Sequence, residues 1–112
     1  LEEKARELEA QRAAIERLAN TDALTGTLSR RHFHELGERE LARAARSDQP
    51  IAALVLDIDF FKRVNDAHGH AGGDAVLKAF ARRCQAMLRG TDVLGRLGGE
   101  EFAVLMPGSG LA

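Results

Sequence analysis

The chain contains 112 residues, of which 45% are hydrophobic and 29% are charged, and its 17 acidic side chains nearly balance its 16 basic ones. That length suits one small domain with a modest core, and the balanced charge, with no Trp or Tyr, argues against a nucleic-acid-binding surface. The single cysteine excludes an internal disulfide, and the lack of a signal peptide or an apolar run of about 18 residues predicts a soluble, cytoplasmic domain, whose parent protein could carry a membrane anchor upstream.

Residues 1–19 predict a long helix, because they contain no Gly or Pro and many strong helix formers. Leu1, Leu8 and Ile15 recur seven residues apart, and Leu18 follows at another core-type position, although the positions between them are polar. We favour a short parallel coiled coil that joins two copies of the chain. The alternative is a solvated helix that packs on its own domain.

A clear break follows this helix in the stretch ANTDALTGTLSRRHF, residues 19–33. It contains capping residues, Gly26 can adopt a positive φ, and Ser29 suits the start of a second helix, which SDQP ends. The break separates an N-terminal dimerisation helix, residues 1–19, from a domain at residues 20–112. The apolar face predicted for the second helix consists of Phe33, Leu36, Leu41 and Ala44.

The remaining elements predict an α/β layer fold. The stretch IAALVLDID, residues 51–59, opens with six apolar residues and predicts a strand buried on both faces that delivers Asp57 and Asp59 at its end. A short helical turn and a Gly/His loop are expected next, followed by an amphipathic helix over residues 74–89 with Cys84 on its apolar face. DVLGRL and FAVLM predict two strands around a GGEE bend, so the order is α-α-β-α-β-β, a central sheet with flanking helices.

Two pairs of acids are candidates for a metal site. Asp57 and Asp59 close the apolar strand, and Glu100 and Glu101 lie at the hairpin bend. Since neighbouring strand residues point to opposite faces, one acid of each pair is expected to face a common site. Clustered carboxylates are stable around a hard cation, and Mg²⁺ combines a few of them with phosphate oxygens. The alternative, that acids are simply frequent in wet loops, stays open from spacing alone.

Other polar residues fit a purine nucleotide. Asn65 and Asp74 bracket a Gly/His stretch, and a carboxylate can accept from guanine N1 and N2 while an amide NH₂ donates to O6. Lys62 could neutralise phosphate charge, and Arg89, three residues before Asp92, could hold a phosphate or a guanine edge bidentately. Each residue also has an ordinary explanation, because loop caps, solvated lysines and surface ion pairs are common.

Three motifs occur in order: TDALTGTLSRRHF, LDIDFFKRVNDAHGHAGGDAVL and RLGGEEF, over nearly all of residues 21–107. In order and spacing they resemble the GGDEF-domain diguanylate cyclases, which condense two GTP molecules into cyclic di-GMP. The resemblance implies an α+β sandwich of the palm-like nucleotidyl-cyclase type, with Mg²⁺ as cofactor, Mn²⁺ as an alternative and GTP as substrate. It also implies a homodimer, since each domain holds one GTP and each 3′-oxygen attacks the α-phosphorus of the other GTP.

The resemblance further implies individual roles. Asp57 would bind the metal through its side chain and Ile58 through its carbonyl, with Glu100 and Glu101 as further ligands. Glu100 would be the base for the attacking 3′-hydroxyl, and Lys62 and Glu101 would assist catalysis. The residues implied in substrate binding are Asn65 and Asp74 for guanine, Phe60 and Phe61 for the phosphates through backbone amides, and Gly98 and Gly99 as clearance at the hairpin.

Arg89 and Asp92 match the inhibitory site of the family, where cyclic di-GMP binds, and an upstream sensor would act through the N-terminal helix. The chain departs from the usual opening motif at Thr27 and Ser29, where Leu and Asn are usual, and we expect altered packing or capping there. Domains of this family continue beyond the last strand with basic residues that contact the triphosphate, so we expect a domain truncated at its C-terminal end, whose activity by itself is open. The alternatives are a non-catalytic module that binds cyclic di-GMP or GTP, and a dimerisation adaptor built on residues 1–19.

Overall fold

The computed structural model describes residues 2–110, although not the side chains of Arg17 and Leu18. Its elements are α1 (Glu2–Asn20), α2 (Arg30–Ser47), β1 (Ile51–Asp57), α3 (Phe61–Met87), β2 (Val93–Gly98) and β3 (Glu101–Pro107). This order confirms the predicted succession of elements and the α+β class. Within the described residues, none of the helices is long and apolar enough to cross a bilayer.

The sheet has three antiparallel strands in the order β1-β3-β2, so β3 lies at its centre. Alternate residues of β3 point to opposite faces and join two apolar clusters. The cluster on the α3 face contains Phe61, Leu77, Ala81, Leu94, Phe102 and Val104. The cluster on the α2 face contains Phe33, Ala103 and Leu105. Packing on both faces therefore fixes the central strand, and with it the position of the GGEEF stretch, residues 98–102, at its start.

The second helix packs on the sheet through its first turns. The Ser29 side chain accepts a hydrogen bond of 3.2 Å from the His32 backbone N–H, as expected for a helix cap. Gly95 of β2 leaves room for the Phe33 ring, since a Cβ there would lie 2.6 Å from its Cδ2 atom. The predicted apolar face is only partly correct: Phe33 is buried, but Leu41 is 55% exposed because α2 meets the sheet mainly through that ring.

The prediction that β1 is buried on both faces is wrong. Within residues 2–110 the strand pairs with β3 alone, and Leu54 and Val55 are 48% and 67% exposed. A continuous apolar run predicts a central strand, but burial depends on neighbouring elements that the run itself does not specify. The strand also ends at Asp57, so Asp59 lies in the turn that follows it.

The third helix consists of two helical segments that meet at a kink within the Gly/His stretch, so the predicted break between a short helical segment and a longer helix is present but is shorter than the predicted loop. It runs from Phe61 to Met87, and its one interruption is Gly69, with φ 73° and ψ 177°. The Gly and His residues predict a loop because of their modest helix propensity, and the chain does leave helical geometry in this stretch, although only at Gly69. Cys84 packs, partly buried, against the core as predicted.

The first helix keeps its side chains exposed over residues 2–13. Leu8 and Ile15 are 62% and 65% exposed, whereas Leu1 and the side chain of Leu18 lie outside the described residues. Exposed apolar side chains at heptad spacing favour the coiled coil over a helix packed on its own domain. Dimerisation itself stays a prediction.

Candidate functional site

The end of β1 and the start of β3 bring the predicted acids together at one end of the sheet. Asp57 is the direct cross-strand partner of Glu101. One residue further along, the Ile58 backbone N–H donates to the Glu100 carbonyl at 3.3 Å. Two motifs that are distant in the sequence therefore meet, while Asp59 lies in the turn beyond the strand.

The signature glycines form the turn between β2 and β3, as predicted. Gly98 ends β2, Gly99 has a φ of +28°, and a Cβ added at either residue would find no atom within 4 Å. A concavity of about 470 Å³ adjoins the turn and is lined by Arg30, His34, Leu97, Gly98, Gly99 and Glu101. Sequence reasoning missed Arg30 and His34, whose i,i+4 spacing on α2 is the one signal that places them on a common helix face.

The acids at this end of the sheet form no ion pair with a basic side chain among the described residues. Within residues 2–110, the ion pairs do not include Asp57, Glu100 or Glu101. Carboxylates directly opposite each other on paired strands repel, and a divalent cation would remove that repulsion. The described residues hold no preassembled group of three or more His, Cys, Asp or Glu side chains for a metal. This donor set fits Mg²⁺, which uses one or two carboxylates and completes its shell with water and phosphate oxygens.

The start of α3 offers a place for an anion beside the acids. Phe60 adopts a left-handed conformation with φ 60° and ψ 26°, and no side chain caps the helix after it. Uncapped N–H groups and the helix dipole favour a phosphate at such a terminus. The Phe61 ring is 8% exposed and anchors this end of the helix in the core, whereas Lys62 is exposed to solvent.

The two residues predicted to bind guanine lie in α3 on either side of the Gly69 kink. Asn65 belongs to the first part of the helix and Asp74 to the second. Sequence reasoning missed Gly73, which is buried: a Cβ at this position would clash with Asn65 Oδ1. The missing side chain lets Asn65 lie against the helix turn that carries Asp74. A glycine directly before Asp74 was the available signal.

Arg89 and Asp92 form a compact unit near the opposite end of the sheet, where β2 begins. The Asp92 carboxylate, only 4% exposed, accepts from the Arg89 backbone N–H at 2.9 Å and from its Nη2 at 3.0 Å. The side-chain and backbone hydrogen bonds from Arg89 lower the pKa of Asp92. Arg89 also donates to the Pro107 carbonyl at 3.3 Å and to the Ser109 hydroxyl at 2.6 Å. A cavity of about 520 Å³, lined in part by Thr91 and Pro107, adjoins this end rather than the acids.

A comparison with known protein families identifies the family to which this arrangement belongs. Residues 19–112 match the family described as "Diguanylate cyclase, GGDEF domain". The chain belongs to the GGDEF family. Its GGDEF signature reads GGEEF, from Gly98 to Phe102, and occupies the turn and the start of β3.

Curated GGDEF relatives resemble most of this chain. The probable diguanylate cyclase DgcC of Escherichia coli K12 is 41% identical over 92 residues, and the response regulator PleD of Caulobacter vibrioides is 46% identical over 95 residues. The matches cover 82% and 85% of this chain but only 25% and 21% of those proteins. The chain therefore spans a quarter or less of the length of these relatives.

Solved GGDEF structures share the fold. The coiled coil and GGDEF domain of DgcB from Caulobacter crescentus, in complex with c-di-GMP, superposes with a TM-score of 0.93 at 31% identity, covering 96% of this chain and 56% of that one. The diguanylate cyclase SiaD, in complex with its activator SiaC from Pseudomonas aeruginosa, gives a TM-score of 0.83 at 38% identity, covering 98% and 42%. Both similarities extend over nearly the whole described chain.

Proposed function

We propose that this chain is the catalytic region of a diguanylate cyclase, which condenses two GTP molecules into cyclic di-GMP and two pyrophosphates. The observation that carries the proposal is the cross-strand pairing of Asp57 with Glu101, together with the hydrogen bond from Ile58 to the Glu100 carbonyl. Membership of the family and the diguanylate cyclases among its relatives support the assignment.

The acids at this end of the sheet, which lack a basic partner, would account for a divalent-metal requirement of the reaction. GGDEF diguanylate cyclases are generally metal-dependent, and we infer Mg²⁺ here, with Mn²⁺ as an alternative. Asp57 and Glu100 would hold it with the Ile58 carbonyl, and Glu101 would assist. When bound, the ion would neutralise phosphate charge and lower the barrier to attack at phosphorus. Substrate phosphates would complete the coordination that the protein leaves open.

The side chains of the chain divide the remaining tasks. Asn65 and Asp74 would hold guanine, Lys62 would stabilise phosphate charge, and the start of α3 would hold phosphate through backbone amides. Glu100 would accept the proton of the 3′-hydroxyl as its oxygen attacks the α-phosphorus of the other GTP. A new P–O bond forms while the bond to the leaving pyrophosphate breaks, and two such attacks close the ring.

The reaction needs two domains face to face, because each supplies one GTP. We propose that residues 1–19 form the coiled coil that brings them together, which would use the exposed Leu8 and Ile15. An upstream sensor would then set activity by shifting the population of productive dimers. On this proposal residues 20–112 form the catalytic region, and the site works inside the cell, where GTP is available.

The test is to incubate the complete domain that contains this chain with GTP and Mg²⁺ and to quantify cyclic di-GMP by chromatography, with dimerisation enforced by a fused coiled coil. Glu100→Gln should lower turnover by about 100-fold or more. Glu38→Gln, which removes an exposed acid from α2, is the matched control and should have no effect. No product from the wild-type complete domain would refute the proposal.

Paramagnetic broadening by Mn²⁺ provides a readout that needs no turnover. Amide signals at Asp57, Ile58 and Glu100 should broaden first, and Asp57→Asn should abolish that selectivity. Uniform broadening over all exposed acids would contradict a metal site at the end of β1 and the start of β3.

A second candidate function, regulation by bound product, is favoured by the Arg89–Asp92 unit. Arg89 is 55% exposed in its side chain and is held by hydrogen bonds to Asp92, so a rigid cation is presented to solvent. Arg can grip the O6 and N7 atoms of guanine bidentately. Calorimetric titration with cyclic di-GMP should show binding that Arg89→Ala removes. A protein that binds cyclic di-GMP but turns over no GTP would instead be a receptor.

A further inference from the structure

The first turn of α3 concentrates positive charge beside the acids at the end of β1. Lys62 and Arg63 are the second and third residues of the helix, both are exposed, and its first turn contains no acidic side chain. Cations are unfavourable at a helix N-terminus, because the helix dipole and the uncapped N–H groups already make that end positive. Asp59 precedes the helix, but within residues 2–110 it forms no ion pair with either cation. This distribution of charge opposes helix stability and favours an anion at the start of α3.

Phe60, the residue before the helix, combines two features that do not stabilise the fold. Its backbone is left-handed with φ 60°, a conformation that costs free energy in a residue with a bulky side chain. Its ring is 68% exposed, although an aromatic side chain gains free energy by burial. The next ring, that of Phe61, is buried and anchors the helix in the core. The exposed ring of Phe60 therefore needs an explanation other than packing.

The exposed ring stacks against the Arg63 side chain. The guanidinium carbon Cζ of Arg63 lies 4.8 Å from the centroid of the Phe60 ring, within the range of a cation–π contact. Helix side chains tilt toward the N-terminus, so the third residue of α3 can reach back over the residue that precedes the helix. Among the described residues Arg63 forms no ion pair. The stack therefore holds a guanidinium whose charge is not neutralised by the protein.

The course of the chain places this stacked pair next to the proposed reaction centre. The Ile58 N–H donates to the Glu100 carbonyl at 3.3 Å, and one residue separates Ile58 from Phe60. In the proposed reaction the α-phosphorus is attacked beside Glu100 and the metal. The other two phosphates, which leave as pyrophosphate, then need an anion position adjacent to the acids. The start of α3 is such a position.

We propose that Arg63 binds the pyrophosphate part of GTP and that Phe60 is a positioning residue, whose ring holds the guanidinium in place before the substrate arrives. A planar guanidinium donates two parallel hydrogen bonds to phosphate oxygens, and stacking reduces the side-chain freedom that binding would remove. As the bond from the α-phosphorus to the bridging oxygen breaks, its electron pair goes to the pyrophosphate, and Arg63 stabilises that charge. The identity of the anion rests on the proposed function.

Nucleotide binding to the complete domain that contains this chain tests the proposal without turnover. The ligand is a GTP analogue with a methylene bridge between the α- and β-phosphates, titrated calorimetrically with Mg²⁺ present, and GMP is the comparison ligand. Arg63→Ala should weaken binding of the analogue about tenfold, because a charge-assisted hydrogen bond is lost, and leave the affinity for GMP unchanged. Arg83→Ala removes an exposed arginine further along α3 and is the matched control, which should change neither affinity.

A double variant tests the part played by the ring. Phe60→Ala should weaken binding of the analogue about threefold when Arg63 is present and have no further effect in the Arg63→Ala background. Equal losses in both backgrounds would refute the positioning role of Phe60. The proposal fails if Arg63→Ala binds the analogue as tightly as Arg83→Ala, or if its affinity for GMP falls by the same factor. If binding of the analogue depends on Arg63 but the wild-type domain makes no cyclic di-GMP, the proposed function fails and the pyrophosphate contact stands.

Discussion

Replacing Gly73 by Ala tests the contact that places Asn65 beside the turn carrying Asp74. The added Cβ would clash with Asn65 Oδ1 and lie 3.2 Å from the Phe61 ring atom Cζ. Overpacking of this kind costs about 1–3 kcal/mol. Ala also gains about 1 kcal/mol over Gly in a helix interior. The net change in the free energy of unfolding should therefore lie between about zero and 2 kcal/mol of destabilisation.

Gly37→Ala is the matched control, because Gly37 lies within α2 and its Cβ would meet no atom within 4 Å. It should stabilise the protein by about 1 kcal/mol. Urea denaturation should therefore separate the two variants by about 1–3 kcal/mol, the overpacking cost alone. GTP affinity should fall in Gly73→Ala and stay unchanged in Gly37→Ala.

A double variant identifies the group that clashes. Adding Asn65→Ala to Gly73→Ala removes the atoms that the new Cβ meets, so stability should return while GTP affinity stays low. The reasoning is refuted if Gly73→Ala stabilises the protein as much as Gly37→Ala and leaves GTP affinity unchanged. It is also refuted if Asn65→Ala restores no stability in the double variant.

Other consequences can be measured on the same protein. Leu8→Asp combined with Ile15→Asp should shift sedimentation from dimer to monomer, since both apolar side chains are exposed on α1 and would leave the seam charged; an unchanged dimer would exclude the coiled coil. Burial raises the pKa of Asp22, but hydrogen bonds from Thr25 and Arg96 outweigh burial and lower the net pKa. Its stabilisation is therefore present at neutral pH and is lost as the pH falls below about 4, so Asp22→Asn should show a smaller loss of stability on acidification. Phe102→Ala should cost about 3–5 kcal/mol, because the ring is 0% exposed and fills the core; a loss below about 1 kcal/mol would contradict that packing.

Local patterns in the sequence predict the order of elements and the chemistry of the site. These signals depend only on neighbours in the chain: Gly and Asn residues at breaks between elements, a capping serine at Ser29, and adjacent glycines before an acidic pair. They suffice for the α-α-β-α-β-β succession, for the hairpin and for the acids after β1. The family resemblance likewise follows from motifs that can be read without coordinates.

Contacts between distant residues needed the tertiary structure. The pairing of Asp57 with Glu101 depends on a register that a shift of one residue would undo. The predicted break in the Gly/His stretch is present, but its length needed the tertiary structure, which confines the non-helical backbone to Gly69.

The same holds for the exposure of β1 and for the link from Asp22 to Arg96, which are 74 residues apart in the chain. An apolar run indicates that a strand can be buried, but it does not indicate which neighbouring elements cover the strand. A hydrogen-bonded pair of distant residues is even harder to predict from sequence, because Asp and Arg occur at many surface positions where they do not contact each other. Only the fold, by holding the segment after α1 against β2, brings this carboxylate and this guanidinium to the signature turn.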